Sequence, residues 1–258
     1  MEKSRDVKQE SLMRVEGERL VTAAKERHLT LRLLGAIAFQ AQCPKYNYLT
    51  TKLQRTLSDI DFAAYSSQRG PIGEMMHEFG YLDQPMVSGL FGGGRMIWEN
   101  KSSGLHVDIF FDKLDMNHVI NFRGRLELEE TTIPLADLLL EKMQIVHINE
   151  KDIVDTIMLL REHEVGDRGS ETIDAPYIAK LLSREWGFYH TVTTNLKNVQ
   201  LRLRDYAELT EEDRADVFQK IERLSTILEN EPKTLGWKTR SRVGTRTQWY
   251  NEVDNVVR

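Results

Sequence analysis

The chain has 258 residues, 40% hydrophobic and 29% charged, with a net charge of −5. That is the make-up of an ordinary soluble protein with a proper core. One cysteine, Cys43, excludes an intramolecular disulfide framework and fits a reducing cytoplasm. No apolar run reaches the ~18 residues of a membrane span, and the charged N-terminus lacks a secretory core. The expectation is a cytoplasmic protein with no membrane partner.

The charge is uneven. Residues 233–258 carry six Lys/Arg against Glu252 and Asp254. An acidic centre with a basic tail suits a metal site beside a surface for polyanions, and it suits a solvated surface equally well.

In chain order, residues 2–28 are charge-rich. Leu12, Val15, Leu20, Ala23 and Ala24 form a thin apolar stripe, which predicts a surface helix. A strand at 29–34 ends at Gly35, and the short apolar stretch 36–42 turns straight into a helix. Glycine at such a turn lets the backbone approach a ligand, and the first amides of the helix can hold phosphate. The bland reason for a glycine there is the turn itself. Residues 43–57 form a polar connection with Lys45, Lys52 and Arg55, and a strand follows at 58–64.

Pro71 opens a helix with Ile72, Met75, Met76 and Phe79 at helical spacing, stopped by Gly80. Gly92, Gly93 and Gly94 precede a strand at 95–99. No helical pattern follows them, so they read as a flexible lead to a hairpin rather than a phosphate loop. The turn at 100–104 joins that strand to the next, at 106–112. A further strand is expected near 125–129.

Pro134 then starts a long helical stretch whose apolar face is Leu135, Leu138, Leu139, Ile145 and Val146. Lys142 falls on that face and must either snorkel out or meet an anion. Asp152 and Asp155, on a second helix from about residue 151, are candidate partners. From about 170 onward the pattern is helical. Ile178, Leu181, Leu182 and Trp186 form one face, and Thr210 with Asp213 resembles a capping box. Trp237, Trp249 and Tyr250 interleave with the basic tail. Such a mixture can grip single-stranded nucleic acid, but the preferred reading is the plainer one, aromatics packed on a helical domain with solvated arginines around them.

The chemistry concentrates in two strands. Side chains alternate along a strand, so Asp59 and Asp61 share a face while Ile60 and Phe62 point the other way. In the second strand Val107, Ile109 and Phe111 make the apolar face, with His106, Asp108 and Phe110 opposite. If the two strands are neighbours, about 5 Å apart, Asp59, Asp61 and Asp108 can share a cation. Three crowded anions repel one another without one. Oxygen-only ligands favour Mg2+ or Mn2+. A lone Asp-x-Asp usually decorates a wet face; the second strand and the upstream glycine turn are what raise this one above that reading.

The order Leu33-Leu34-Gly35-Ala36, Ser58-Asp59-Ile60-Asp61, Val107-Asp108 resembles the polymerase-beta-type nucleotidyltransferase superfamily. The run from Pro134 to Gln144, with Lys142, followed by Lys151-Asp152 and Asp155, is similar to its abortive-infection branch (AbiEii/AbiGii toxin-like). The resemblance covers about residues 29–163. It implies an α/β fold: a nucleotidyltransferase-fold mixed sheet flanked by helices, followed by an α-helical C-terminal domain. The expected divisions are an N-terminal helix (1–28), the core (29–132) and a helical domain with the basic tail (133–258).

The resemblance also implies the chemistry, transfer of a nucleoside monophosphate from an NTP to a hydroxyl with two divalent metals. Asp59 and Asp61 would ligate both metals and the triphosphate. Asp108 would ligate the catalytic metal and help deprotonate the acceptor. Gly35, Ala36 and Ser58 would line the phosphates, and Lys142, oriented by Asp152, would neutralise triphosphate charge. The superfamily usually has Gly-Ser or Gly-Gly where this chain has Gly35-Ala36, so a phosphate-binding hydroxyl is missing. The first reading is a Mg2+-dependent enzyme acting on a tRNA, a protein or a small hydroxylated acceptor. The second is a nucleotide- or partner-binding module of little turnover, working with an antitoxin. A general metal-dependent phosphohydrolase is a weaker third, because Asp59-Ile60-Asp61 lacks the Thr or Gly-Thr that follows in aspartyl-phosphate phosphatases.

Overall fold

The computed structural model describes residues 2–52, 57, 59–84, 94–167, 169 and 171–253. The expectations for Arg55, Ser58, Gly92 and Gly93 lie outside them. The fold is mixed α/β, and the chain divides into two units. Residues 1–44, 54–115 and 120–134 form the first; residues 45–53, 116–119 and 135–258 form the second.

The first unit is built on a five-stranded mixed sheet of order β1-β2-β5-β4-β3. Its strands are β1 (Leu31–Leu34), β2 (Ile60–Ala64), β3 (Leu82–Asp83), β4 (Arg95–Asn100) and β5 (Leu105–Phe111). Only β2 and β5 run parallel; β1–β2, β3–β4 and the β4–β5 hairpin are antiparallel. Register places Leu33, Phe62, Ile109 and Met96 in one row across the sheet, and Ile60, Val107 and Trp98 in the next on the same face. Leu33, Ile60, Phe62, Val107 and Ile109 are all fully buried. Burying a large apolar side chain contributes about 1.5–3 kcal/mol, so this face is the core that fixes the register.

Two helices lie against β1 and β2, α1 (Glu2–Glu26) and α2 (Gly35–Gln42). The buried stripe of α1 is Met13, Leu20, Val21, Ala23 and Ala24, with Gly17 between Met13 and Leu20, while Leu12 and Val15 are exposed. The expected stripe is therefore corrected by one residue at its N-terminal end. Gly17 is why: a Cβ there would lie 3.0 Å from Leu33 and 3.5 Å from Ile60, so the bare backbone sets the helix down on the sheet. α3 (Tyr48–Lys52), in the second unit, precedes β2. α4 (Arg69–Glu78) starts two residues before Pro71 and buries Ile72, Met75 and Met76. Gly80, at φ +80°, follows it.

Two short strands, β6 (Lys113–Asp115) and β7 (Val119–Asn121), come after β5. The strand expected at 125–129 is a run of turns instead. Leu126 is buried but Leu128 is 56% exposed, so the apparent alternation has no sheet face to serve. The carbonyls of Leu126 and Glu129 accept from Arg32 Nε at 2.9 and 2.5 Å. The edge of β1 is met instead by residues 131–133: Leu33 N–H donates to Thr131, and Ile133 N–H donates to Leu33.

Among its described residues the second unit is helical apart from a two-stranded parallel pair, β8 (Glu164–Gly166) and β9 (Thr172–Asp174). The helical reading from 170 onward is thus corrected at β9, where Ile173 is fully buried beside Val165. α5 (Leu135–Met143) is buried along its whole length. It ends before Ile145 and Val146, which are only half-buried. α6 (Glu150–Glu162) opens with an Asn149/Asp152 capping box. α7 (Ala175–Leu182) and α8 (Trp186–Arg202) follow, so the face expected to run from Ile178 to Trp186 is split over two helices. α9 (Glu211–Asn230) opens with the expected Thr210/Asp213 box and packs on α6, α7 and α8. α10 (Leu235–Val243) lies against α8. Among the described residues no helix is long and apolar enough to cross a membrane.

Candidate metal centre

On the other face of the first unit's sheet, the parallel register sets Asp61 beside Asp108, with Leu34 and Ile97 as their outer neighbours. Asp59 is two residues before Asp61, on the same side. The three carboxylates bring ligand oxygens within 4.8 Å of one another. Asp59 and Asp61 are half-buried and Asp108 is 1% exposed. Charges about 5 Å apart repel by roughly 3 kcal/mol at the effective dielectric of a protein surface, so the cluster calls for a cation.

Three features bear on whether a divalent ion fits. The donor set is oxygen only, which suits a hard cation. Gly35, at φ +69°, forms the near wall. A Cβ built on it would lie 2.5 Å from Asp61 Oδ2 and 3.3 Å from Asp61 Cβ, so any side chain would take the carboxylate's space. The third is that a cation already touches the cluster: Arg95 Nη2 pairs with Asp108 Oδ2. Arg95 sits opposite Phe110, two residues along β4 from Ile97, the residue opposite Asp108. It therefore reaches the carboxylate diagonally, with its guanidinium carbon 4.9 Å from the Phe110 ring centroid. Asp59, Asp61 and Asp108 can hold a metal ion.

Gly35 and the three aspartates thus come together in one unit, with half-buried Ala36 next along α2. Lys142 and Asp152 come together in the other. Lys142 is 6% exposed, and its Nζ lies 3.3 Å from Glu141, 3.4 Å from Asp152 and 3.3 Å from Asp155. It meets anions rather than snorkelling, the second of the two outcomes open to it. Asp152 also serves as the capping-box acid of α6. Glu141 was not among the expected partners, because an immediate neighbour on a helix points elsewhere unless the cation bends back to it. Arg95 was missed as well. The signal available was the hairpin: β4 and β5 alternate in step, so Arg95 had to share a face with Asp108.

The basic tail packs on its own unit. Trp237 meets Tyr189 edge-on at 5.3 Å, and Trp249 meets His190 in the same way at 5.3 Å. Trp249 Nε1–H donates to Thr191 Oγ1 at 3.1 Å. Arg240 lies 4.7 Å over the Trp186 ring and donates to the carbonyls of Gly244, Thr247 and Gln248. Trp186, Trp237 and Trp249 flank a cavity of about 620 Å³ that Arg184, Phe188 and Tyr250 also line. Lys238, Arg242 and Arg246 are exposed.

Comparison with family models, curated proteins and solved structures gives no match for this chain.

Proposed function

We propose that the chain is a metal-dependent nucleotidyltransferase, moving a nucleoside monophosphate from an NTP to a hydroxyl acceptor. The observation that carries the reading is the convergence of Asp59, Asp61 and Asp108 on adjacent parallel strands, with Gly35 against Asp61. An isolated acidic pair needs no glycine wall and no third acid from a second strand. Bound Mg2+ or Mn2+ would polarise the phosphoryl oxygens and stabilise the attacking and leaving oxygens.

The chain's own part is to hold and to orient. Asp59 and Asp61 supply oxygens at the half-exposed mouth, where a triphosphate can arrive. Asp108, set deeper, accepts the proton of the acceptor hydroxyl. Gly35, bare of Cβ, leaves room for the Asp61 carboxylate beside the first turn of α2, whose backbone amides can meet phosphate oxygens.

Exposed charge supports one of the acceptor classes, RNA, protein or small molecule, over the others. An RNA such as a tRNA suits Lys238, Arg242 and Arg246, which stand clear of the packed tail aromatics. Reversing Lys238 and Arg242 to Glu then weakens RNA binding and flattens its salt dependence. An unchanged salt slope removes RNA from the reading and leaves a protein or small-molecule acceptor.

A second reading has a specific observation behind it. Arg95 already serves Asp108 as a counter-charge, and Ala36 supplies no hydroxyl. Both suit a nucleotide- or partner-binding module of low turnover, paired with an antitoxin. Incubation with each α-labelled NTP, Mg2+ or Mn2+, and a pool of tRNA separates the two. Label transferred by wild type and not by Asp61→Asn supports the enzyme. Nucleotide binding without transfer to any RNA, protein or small alcohol supports the module.

A further inference from the structure

We propose that Arg95 is the resident counter-ion of the carboxylate site, displaced from Asp108 when a divalent cation binds and then donating to a phosphate of the nucleotide. The inference rests on the metal-site reading above and adds a residue to it.

The competition is geometric. Asp108 Oδ2, which accepts from Arg95 Nη2, belongs to the carboxylate that completes the three-acid cluster. The Asp108 side chain is 1% exposed and that of Arg95 17%, so this pair is shielded from solvent rather than screened at the surface. A dication among Asp59, Asp61 and Asp108 would lie within a few ångströms of the guanidinium. Like charges at that range repel, so the dication and the guanidinium compete for the Asp108 carboxylate.

The anchoring of Arg95 on its strand limits where the guanidinium can go. Arg95 is anchored through β4 opposite Phe110, and its side chain rests over that ring. Turning about the side-chain torsions takes the guanidinium off Asp108 with no movement of the sheet. Its new surroundings would be the half-exposed mouth defined by Asp59 and Asp61, where the anionic part of a nucleotide enters. A planar fork of donors matches phosphate oxygens bidentately, which an ammonium cannot do. The exchange keeps charge in balance: the metal takes the aspartate, and the phosphate takes the arginine.

This arrangement gives opposite signs for two ligands, which a merely structural arginine would not. In Arg95→Gln, Mn2+ alone binds more tightly, by about tenfold, because its competitor is gone. Mn2+ with a non-hydrolysable NTP analogue binds more weakly by a similar factor, because a phosphate donor is gone. Arg95→Lys keeps the charge and loses the fork, so its cation affinity stays near wild type while its nucleotide affinity falls. Calorimetric titration of the full chain reads both.

Should Arg95→Gln fail to fold, guanidinium NMR of the wild type tests the same step, since Mg2+ addition must shift the Arg95 Nε–H resonance. Opposite signs in the titrations, or that shift, support the proposal. Equal Mn2+ affinity in all three proteins with a stationary Arg95 resonance overturns it and leaves the metal site standing. Absence of Mn2+ binding in wild type and both variants overturns the metal-site reading itself.

Discussion

Asp61 and Asp108 stand opposite each other in the parallel register of β2 and β5, so the two carboxylates are held by sheet hydrogen bonding rather than by a loop. They differ in what else they meet, since Asp108 is paired with Arg95 and Asp61 lies against Gly35. Removing one acid charge therefore has two distinguishable results. Saturating Mg2+ at about a hundred times its Kd stabilises the wild type by roughly 2.7 kcal/mol, and Asp61→Asn abolishes that gain. Asp108→Asn abolishes it too, and also destabilises the metal-free protein by about 3 kcal/mol, because Arg95 keeps its charge in a shielded place. Thermal unfolding with and without Mg2+ measures both.

Gly35→Ala tests the near wall. At φ +69°, alanine carries a left-handed backbone penalty of about 1–2 kcal/mol, and its methyl would fall 2.5 Å from Asp61 Oδ2. The expected outcome is a lower urea midpoint together with weaker Mn2+ binding. A variant equal to wild type in both would mean that the turn tolerates a side chain and that Asp61 needs no glycine beside it.

Lys142 stands among Glu141, Asp152 and Asp155 in the buried heart of the second unit. Lys142→Met removes the cation and leaves the acids to repel one another, which costs about 3–5 kcal/mol. Lys142→Arg keeps the charge in a larger head and loses less. Denaturant titration of the two variants gives the ranking; a Met variant as stable as the Arg variant would show that the acids do not need their cation.

His118 sets an acid limb. Its ring stacks on Phe188 at 4.8 Å, its Nε2 lies 2.8 Å from Thr191 Oγ1, and burial pushes its pKa down from 6.5 to about 4. The unfolded chain takes up this proton more readily than the folded one. Stability from this group is whole above about pH 6.5 and is lost as the pH falls toward 4. The contribution is at most about 3 kcal/mol. His118→Gln lowers stability at pH 7 and flattens its dependence between pH 6.5 and 4, read from urea midpoints across that range. An unchanged slope would place the acid sensitivity elsewhere.

Much of the site was legible because a strand repeats every two residues: the parity of Asp59 with Asp61, and of Asp108 with His106, needs no tertiary knowledge. That β2 and β5 are neighbours did need it, since their pairing spans a helix, a strand and a hairpin. The strand expected at 125–129 failed because Leu126 and Leu128 alternate as strand residues do, while Arg32 takes the carbonyls around them. The α1 stripe slipped because its central position is Gly17, which no hydrophobic pattern counts. Arg95 escaped notice because its partner lies diagonally across a hairpin. The tail was open to two readings from composition alone, and packing of Trp237 and Trp249 on α8 is the one the structure contains.

The most direct test of the central claim is Mn2+ binding followed by electron paramagnetic resonance, in which free Mn2+ gives the signal and bound Mn2+ loses it. Wild type is expected to deplete the free signal, while the Asp59→Asn/Asp61→Asn double variant, folded by circular dichroism, leaves it intact. A signal equally depleted by both proteins, or by neither, would contradict a metal site built from these carboxylates.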